Sequence, residues 1–308
     1  MPVLEQTFIF FLIMLIGVYA RKKGMLTKEN QSQISAIVVN IAYPAIILSG
    51  VLSDENRIGP NQILIAFVTS LALLVLALIL GYAVAIIMRF EKSFYGIIQV
   101  LTVFTNIGFM GVPMIDNIYG KSALIYMSVF LIPYNLLFYS FAIKTIKRES
   151  LNPLSGFKFK DLLNNGMIAC FLAIIIYLSG IKVPYVLGTT IHLVGSMTAP
   201  LAMLLIGSFL SDINLKSLFL EPQTIIYTLI KMLVIPLIII KILSIFINDN
   251  LLLAVCMAAL ATPCGNVIAL LTSMYNKEAY PIAVKTITLS TVASIITMPI
   301  AFYLAGIE

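Results

Sequence analysis

The chain has 308 residues, 61% hydrophobic and only 10% charged, with a mean hydropathy of +1.07 and a formal net charge of +6. Soluble domains carry roughly a quarter charged and under half apolar residues, so no soluble fold can hide this surface. Cys170, Cys256 and Cys264 all lie in apolar stretches and His192 is the single histidine, which excludes a disulfide framework and a clustered metal site and calls for no cofactor.

A bilayer core of ~30 Å needs roughly 20 apolar residues per helix. Apolar runs between polar breaks predict ten spans, near 4–20, 31–52, 62–89, 94–115, 121–144, 162–180, 185–210, 223–247, 251–275 and 279–304. The first has Glu5 at its start and Arg21, Lys22 and Lys23 after it, the reverse of a secretory signal peptide, and so reads as a retained helix with its N-terminus outside. The longest polar connection, about Lys144 to Asp161, is too short to fold alone, which excludes a soluble catalytic domain.

Charge orients these spans. The odd-numbered connections hold Arg21, Lys22, Lys23, Lys28, Arg89, Lys92, Lys144, Lys147, Arg148, Lys158, Lys160, Lys216 and Lys277, 13 in all. The even connections and both tails hold only Arg57, Lys121 and Lys182. The odd loops are therefore expected in the cytoplasm and both termini outside it, in a multi-pass protein of the cell membrane. The net charge follows from this bias and gives no reason to invoke nucleic acid; the partner it implies is the lipid bilayer.

Gly24 and Gly180, Pro44 and Pro200, Tyr119 and Tyr275, Lys121 and Lys277, and Ala123 and Ala279 are each 156 positions apart and fall at equivalent places among the spans. A duplication explains this, with residues 1–150 as one repeat and 151–308 as the other. Five crossings per repeat, an odd number, turn the second upside down relative to the first, and inverted repeats of this kind mark secondary transporters. The expected fold class is thus an all-α polytopic membrane protein, with ten transmembrane helices in two inverted five-helix repeats and crossed broken helices 4 and 9.

The fourth span reads Thr105-Asn106-Ile107-Gly108-Phe109-Met110-Gly111-Val112-Pro113, and the ninth carries Ala261-Thr262-Pro263-Cys264-Gly265-Asn266. Proline lacks an N–H and clashes with the preceding turn, while glycine tolerates unwound dihedrals, so both helices are expected to break, at Pro113 and at Pro263. Paired interruptions in corresponding helices point to a midplane binding site. Two half-helix N-termini would present unpaired N–H groups and partial positive charge, which suits a carboxylate. Asn106, Thr262 and Asn266 would add side-chain hydrogen bonds, with Gly108, Gly111 and Gly265 giving close backbone approach. Asn40 and Pro44 in the second span, and Thr198 and Pro200 in the seventh, lack flanking glycines and read as kinks.

Among ionisable residues at depth, Lys285 lies about six residues, ~9 Å, from its cytoplasmic end, and Lys241 about as far from the outer end, so both can snorkel. Lys231 is deeper and is the candidate for anion attraction or a proton-linked switch. His192 reads as an interface residue. Thr286, Ser290, Ser294 and Thr297 recur at helical spacing in the last span and are expected to face protein and not lipid.

The run Asn106-Ile-Gly-Phe-Met-Gly-Val-Pro113 followed by Tyr119-Gly120 resembles the N-x-x-x-M-G-x-P…Y-G pattern of the auxin efflux carrier family, and Leu289-Ser290-Thr291, Pro299-Ile300 and Tyr303 are similar to its last helix. Members include plant PIN transporters and prokaryotic malate and malonate permeases. The resemblance implies a scaffold of helices 1, 2, 6 and 7, a mobile transport domain of helices 3–5 and 8–10, and organic acids as substrates. The chain lacks the long loop of the plant members between helices 5 and 6, which suits the prokaryotic permease branch and makes auxin itself a doubtful substrate. The expected function is secondary transport of a small organic anion by elevator-type alternating access, with a homodimer through the scaffold helices as the expected assembly. A sodium-coupled symporter of a bulkier organic acid is the runner-up, and a membrane receptor or enzyme is disfavoured by the absence of a nucleophile, base or metal cluster at depth.

Overall fold

The structure, a computed structural model, describes residues 2–50, 52, 59–148, 165–211 and 221–307. Arg57, Lys158, Lys160 and Lys216 of the charge count, most of the Lys144 to Asp161 connection and the boundary at 150 lie outside the described residues.

Within them every regular element is helical, and the expected spans map onto twelve helices. Seven are long and apolar enough to cross a bilayer: α1 (Pro2–Lys22), α2 (Glu29–Ser49), α3 (Pro60–Ile87), α6 (Lys121–Lys147), α8 (Tyr185–Ser211), α9 (Pro222–Leu243) and α12 (Tyr280–Ala305). The protein is a polytopic helical membrane protein. The fourth span is two short helices, α4 (Tyr95–Val103) and α5 (Val112–Tyr119), and the ninth is likewise split into α10 (Asn250–Ala261) and α11 (Asn266–Tyr275). The sixth span is the shorter apolar helix α7 (Asn165–Ser179).

Proline shapes several of these helices without ending them. Pro44 and Pro236 each offer no N–H to the carbonyl four residues back, and each is preceded by a π-helical turn, Val38–Ala42 and Ile230–Val234. The N–H just before each proline reaches one residue further back than usual, Tyr43 to the Val38 carbonyl and Ile235 to the Ile230 carbonyl. The freed Asn40 carbonyl accepts from Asn165 Nδ2 at 3.4 Å, and the same amide group donates to Asn40 Oδ1 at 3.1 Å. The kink expected at Asn40 and Pro44 is thus a wide turn inside one continuous helix. In α8 a turn at Met197 separates Tyr185–Ser196 from Thr198–Ser211.

The chain divides into two compact units. The first comprises the described residues within 1–67, 108–132 and 163–214. In it α1 lies along the second half of α8, and the first half of α8 packs on the end of α2. The backbones meet at glycines. A Cβ on Gly17 would run into the Leu204 carbonyl, one on Gly207 into the Met14 carbonyl, and one on Gly195 would sit 2.8 Å from the Ile46 Cα. Lipid is as apolar as a leucine face, so helices in a membrane gain from this close approach and not from burying hydrocarbon. Gln31 Nε2 donates to Ser208 Oγ at 2.8 Å in the buried interior of the same unit.

The second unit comprises the described residues within 68–107, 133–162 and 215–308. Its centre is α10, whose residues Leu252–Ala261 are all buried, as a helix apolar on every side requires. Against it pack α9 and α12; α4 and α11 pack in turn on α12, with the end of α6 beside α4 and α11. Thr286, Ser290, Ser294 and Thr297 of α12 are all buried, as their spacing predicts. Lys285 forms an ion pair with Glu221 at the start of α9, which gives the end-seeking lysine a partner and holds the Glu221 carboxyl below the usual carboxylate range.

Candidate functional site

Within the second unit the two interruptions meet. After Val103 the chain leaves the helix, and Thr105 forms an antiparallel bridge with Cys264. Asn106 N–H donates to the Pro263 carbonyl at 2.6 Å, and Gly265 N–H donates to the Phe104 carbonyl at 3.0 Å. Gly265 is there because of this approach: its φ of −69° suits any residue, but a Cβ would lie 3.2 Å from both the Phe104 and Thr105 carbonyl oxygens.

A helix interrupted inside a membrane exposes carbonyls that have no water to bond. Here several acquire a particular partner. On the α10 side, Ala258 accepts from Thr262 N–H at 3.3 Å and Ala259 from Thr105 Oγ1 at 2.7 Å. Leu260 accepts from Lys231 Nζ at 3.3 Å, and Thr262 from the same ammonium group. On the α4 side, Val100 accepts from Phe104 N–H at 2.9 Å, Leu101 from Cys264 Sγ at 3.2 Å and Thr105 from the Tyr134 hydroxyl at 2.8 Å. Cys264 N–H donates to Ser290 Oγ at 3.1 Å.

Two consequences follow for the residues singled out in the sequence. The expectation of unpaired N–H groups needs correction, because those of Asn106, Cys264 and Gly265 are taken up by the crossing itself. At the start of α11 those of Asn266 and Val267 remain, with no side-chain cap. Lys231, 1% exposed, has its ammonium on the carbonyl end of α10.

Asn106, Thr262, Pro263, Gly265, Asn266 and Lys231 belong to this one unit, whereas Gly108, Gly111 and Pro113 belong to the other, where Gly108 faces the Tyr43 ring. Two buried side-chain groups on the crossing have no hydrogen-bond partner: Asn106 Nδ2 and Thr262 Oγ1, in residues that are 6% and 0% exposed. Unsatisfied buried donors are uncommon in folded proteins and costly, so a ligand that completes them is favoured.

Sequence reasoning missed Thr105, Tyr134 and Cys264 as parts of this framework, while Ser290 stood out by its helical spacing alone. Cys264 stood out only as one of three cysteines in apolar stretches, yet its thiol closes the Leu101 carbonyl. No periodicity marks Thr105, Tyr134 or Cys264, since each acts through a contact across the fold. Among the described residues, no three of His, Cys, Asp and Glu gather as metal ligands.

An all-helical, multi-span chain with two helices interrupted and tied together in mid-apolar sequence is the architecture of a membrane carrier. The model of the family described as membrane transport protein matches residues 2–302, and the chain belongs to that family. This is the auxin efflux carrier family anticipated from the Asn106 to Pro113 run, a family of transporters and not of enzymes. No curated protein matches the chain.

Proposed function

We propose that this membrane transport protein is a secondary carrier of small organic anions, carboxylates above all, which it binds at the crossing and carries by elevator-type alternating access. The observation that carries this reading is the pair of buried, unpartnered groups, Asn106 Nδ2 and Thr262 Oγ1, on a crossing that also holds the ammonium of Lys231 and the uncapped first turn of α11. Amide and hydroxyl donors, with positive potential from a helix N-terminus, are what a carboxylate selects. In this reading Asn106, Thr262 and Asn266 bond the carboxylate and Lys231 supplies charge. Gly265 lets the two backbones approach, and Pro263 keeps the ninth span open.

The same reading places ten transmembrane helices in inverted repeats of residues 1–150 and 151–308. It is supported by two interrupted helices at corresponding places. A scaffold of the first, second, sixth and seventh spans is supported by the close glycine packing of α1, α2 and α8 in one compact unit, while α3 from Val68 onward, α4, α9, α10, α11 and α12 belong to the other; residues 108–132 of the fourth and fifth spans group with the first. The scaffold would also carry a homodimer contact. Both termini lie outside the cytoplasm, in the cell membrane.

The test is Asn106→Ala in purified protein. Losing one hydrogen bond to a charged group costs ~1.5–3 kcal/mol, a roughly 10- to 150-fold weaker affinity for the acid that gives the largest thermal shift in a mono- and dicarboxylate screen. Unliganded stability should hardly change, because Asn106 Nδ2 has no partner to lose. Unaltered binding and proteoliposome uptake in this variant would place the carboxylate elsewhere.

A further inference from the structure

Lys231 stands in the π-helical turn Ile230–Val234, and its three ammonium donors have three acceptors: the Leu260 carbonyl, the Thr262 carbonyl and the Met232 thioether. Among the described residues no carboxylate pairs with it. An ammonium taken out of water without a counter-charge is costly. What compensates it here is the carbonyl end of α10, twelve residues long, where about half a negative charge collects and where the last carbonyls have no helical partner.

Such a cluster of backbone oxygens at an unwound helix end is a cation site by its own chemistry. We propose that the carbonyl end of α10, built from Leu260 and Thr262, is a monovalent-cation site and that Lys231 is its resident occupant. The crossing is held by a charge carried on the chain and not by an ion drawn from solution. The π turn has a role in this: one extra residue in the turn redirects the lysine relative to a regular helix, and Pro236 sustains the turn. Thr105 Oγ1 on the Ala259 carbonyl and Asn106 N–H on the Pro263 carbonyl flank the same segment. The carbonyls it takes thus lie in the chain between the acceptors of two of the hydrogen bonds that tie the interrupted helices together.

Lys231→Ala removes four atoms whose free equivalent is n-propylammonium, so the vacated site should accept that ion. The experiment follows thermal unfolding of detergent-purified protein, without any organic acid, in propylammonium, sodium or tetramethylammonium chloride at equal ionic strength. The parent should be indifferent to the cation. Lys231→Ala should melt lower and regain stability with rising propylammonium, as mass action requires, but not with tetramethylammonium, which has no N–H and is too broad. Lys231→Met keeps the volume without the charge; it should melt below the parent and respond to no cation, and it decides the matter if the alanine variant does not fold. A methionine variant as stable as the parent, or a folded alanine variant blind to propylammonium, overturns the proposal. No acid is present, so this idea and the carboxylate reading fail separately.

Discussion

Thr105 shows how much a single side chain can decide. Its hydroxyl caps the Ala259 carbonyl at 2.7 Å, its own carbonyl accepts from Tyr134, and its backbone bridges Cys264. Thr105→Val keeps the shape and removes one donor, leaving a buried carbonyl orphaned. We expect a loss of about 1–2 kcal/mol, read as a lower unfolding midpoint in detergent, with acid affinity reduced by the loosened crossing. Asn106→Ala beside it should behave oppositely, losing affinity with little loss of stability, because Asn106 Nδ2 has no partner to lose. In the sequence the two residues are adjacent polar side chains before a glycine, and Asn106 stood out only through its motif. The roles separate once the partners of each atom are known.

At the scale of elements, proline and glycine carry the shape, and they do so in two ways. Near Pro44 and Pro236 the helix widens into a π turn and continues; near Pro263 it stops, because Gly265 lets another backbone come within reach. The break in the ninth span falls at Pro263 as expected, but that in the fourth falls at residues 104–106 and not at Pro113, which lies inside the helix that follows the π turn Ile107–Gly111: a proline near a helix start is compatible with the first turn. The glycine contacts of α1 and α8 were not legible, since Gly17, Gly195 and Gly207 sit alone in apolar runs and reveal themselves only when a neighbouring backbone is placed against them. Gly207→Ala forces its Cβ into the Met14 carbonyl, and backbone yields less readily than a side chain. We expect about 1–3 kcal/mol of destabilisation, visible as lower yield of monodisperse protein and an earlier melt.

For the whole molecule, the orientation inferred from charge can be tested without a ligand. Cys170, Cys256 and Cys264 are buried and should stay silent towards a membrane-impermeant maleimide. Lys182→Cys, before α8, and Lys277→Cys, before α12, both replace exposed residues. The first should label on intact cells and the second only after permeabilisation. The opposite pattern inverts the topology, and labelling of both from outside removes the odd number of crossings between them.

Composition and the run of apolar stretches are enough to determine membrane residence, and clustered Gly and Pro mark which stretches are interrupted, because each depends on local transfer energies and backbone preferences that a short window contains. The family was legible too, from one motif of eight residues. What the interruptions do with their freed backbone groups was not. Whether an N–H faces a ligand or a carbonyl 157 positions away, and whether a buried lysine meets a substrate or a helix end, depends on which segments the fold brings within 3 Å. Only the tertiary structure decides that, because a hydrogen bond is satisfied by geometry and leaves no periodic trace in the chain.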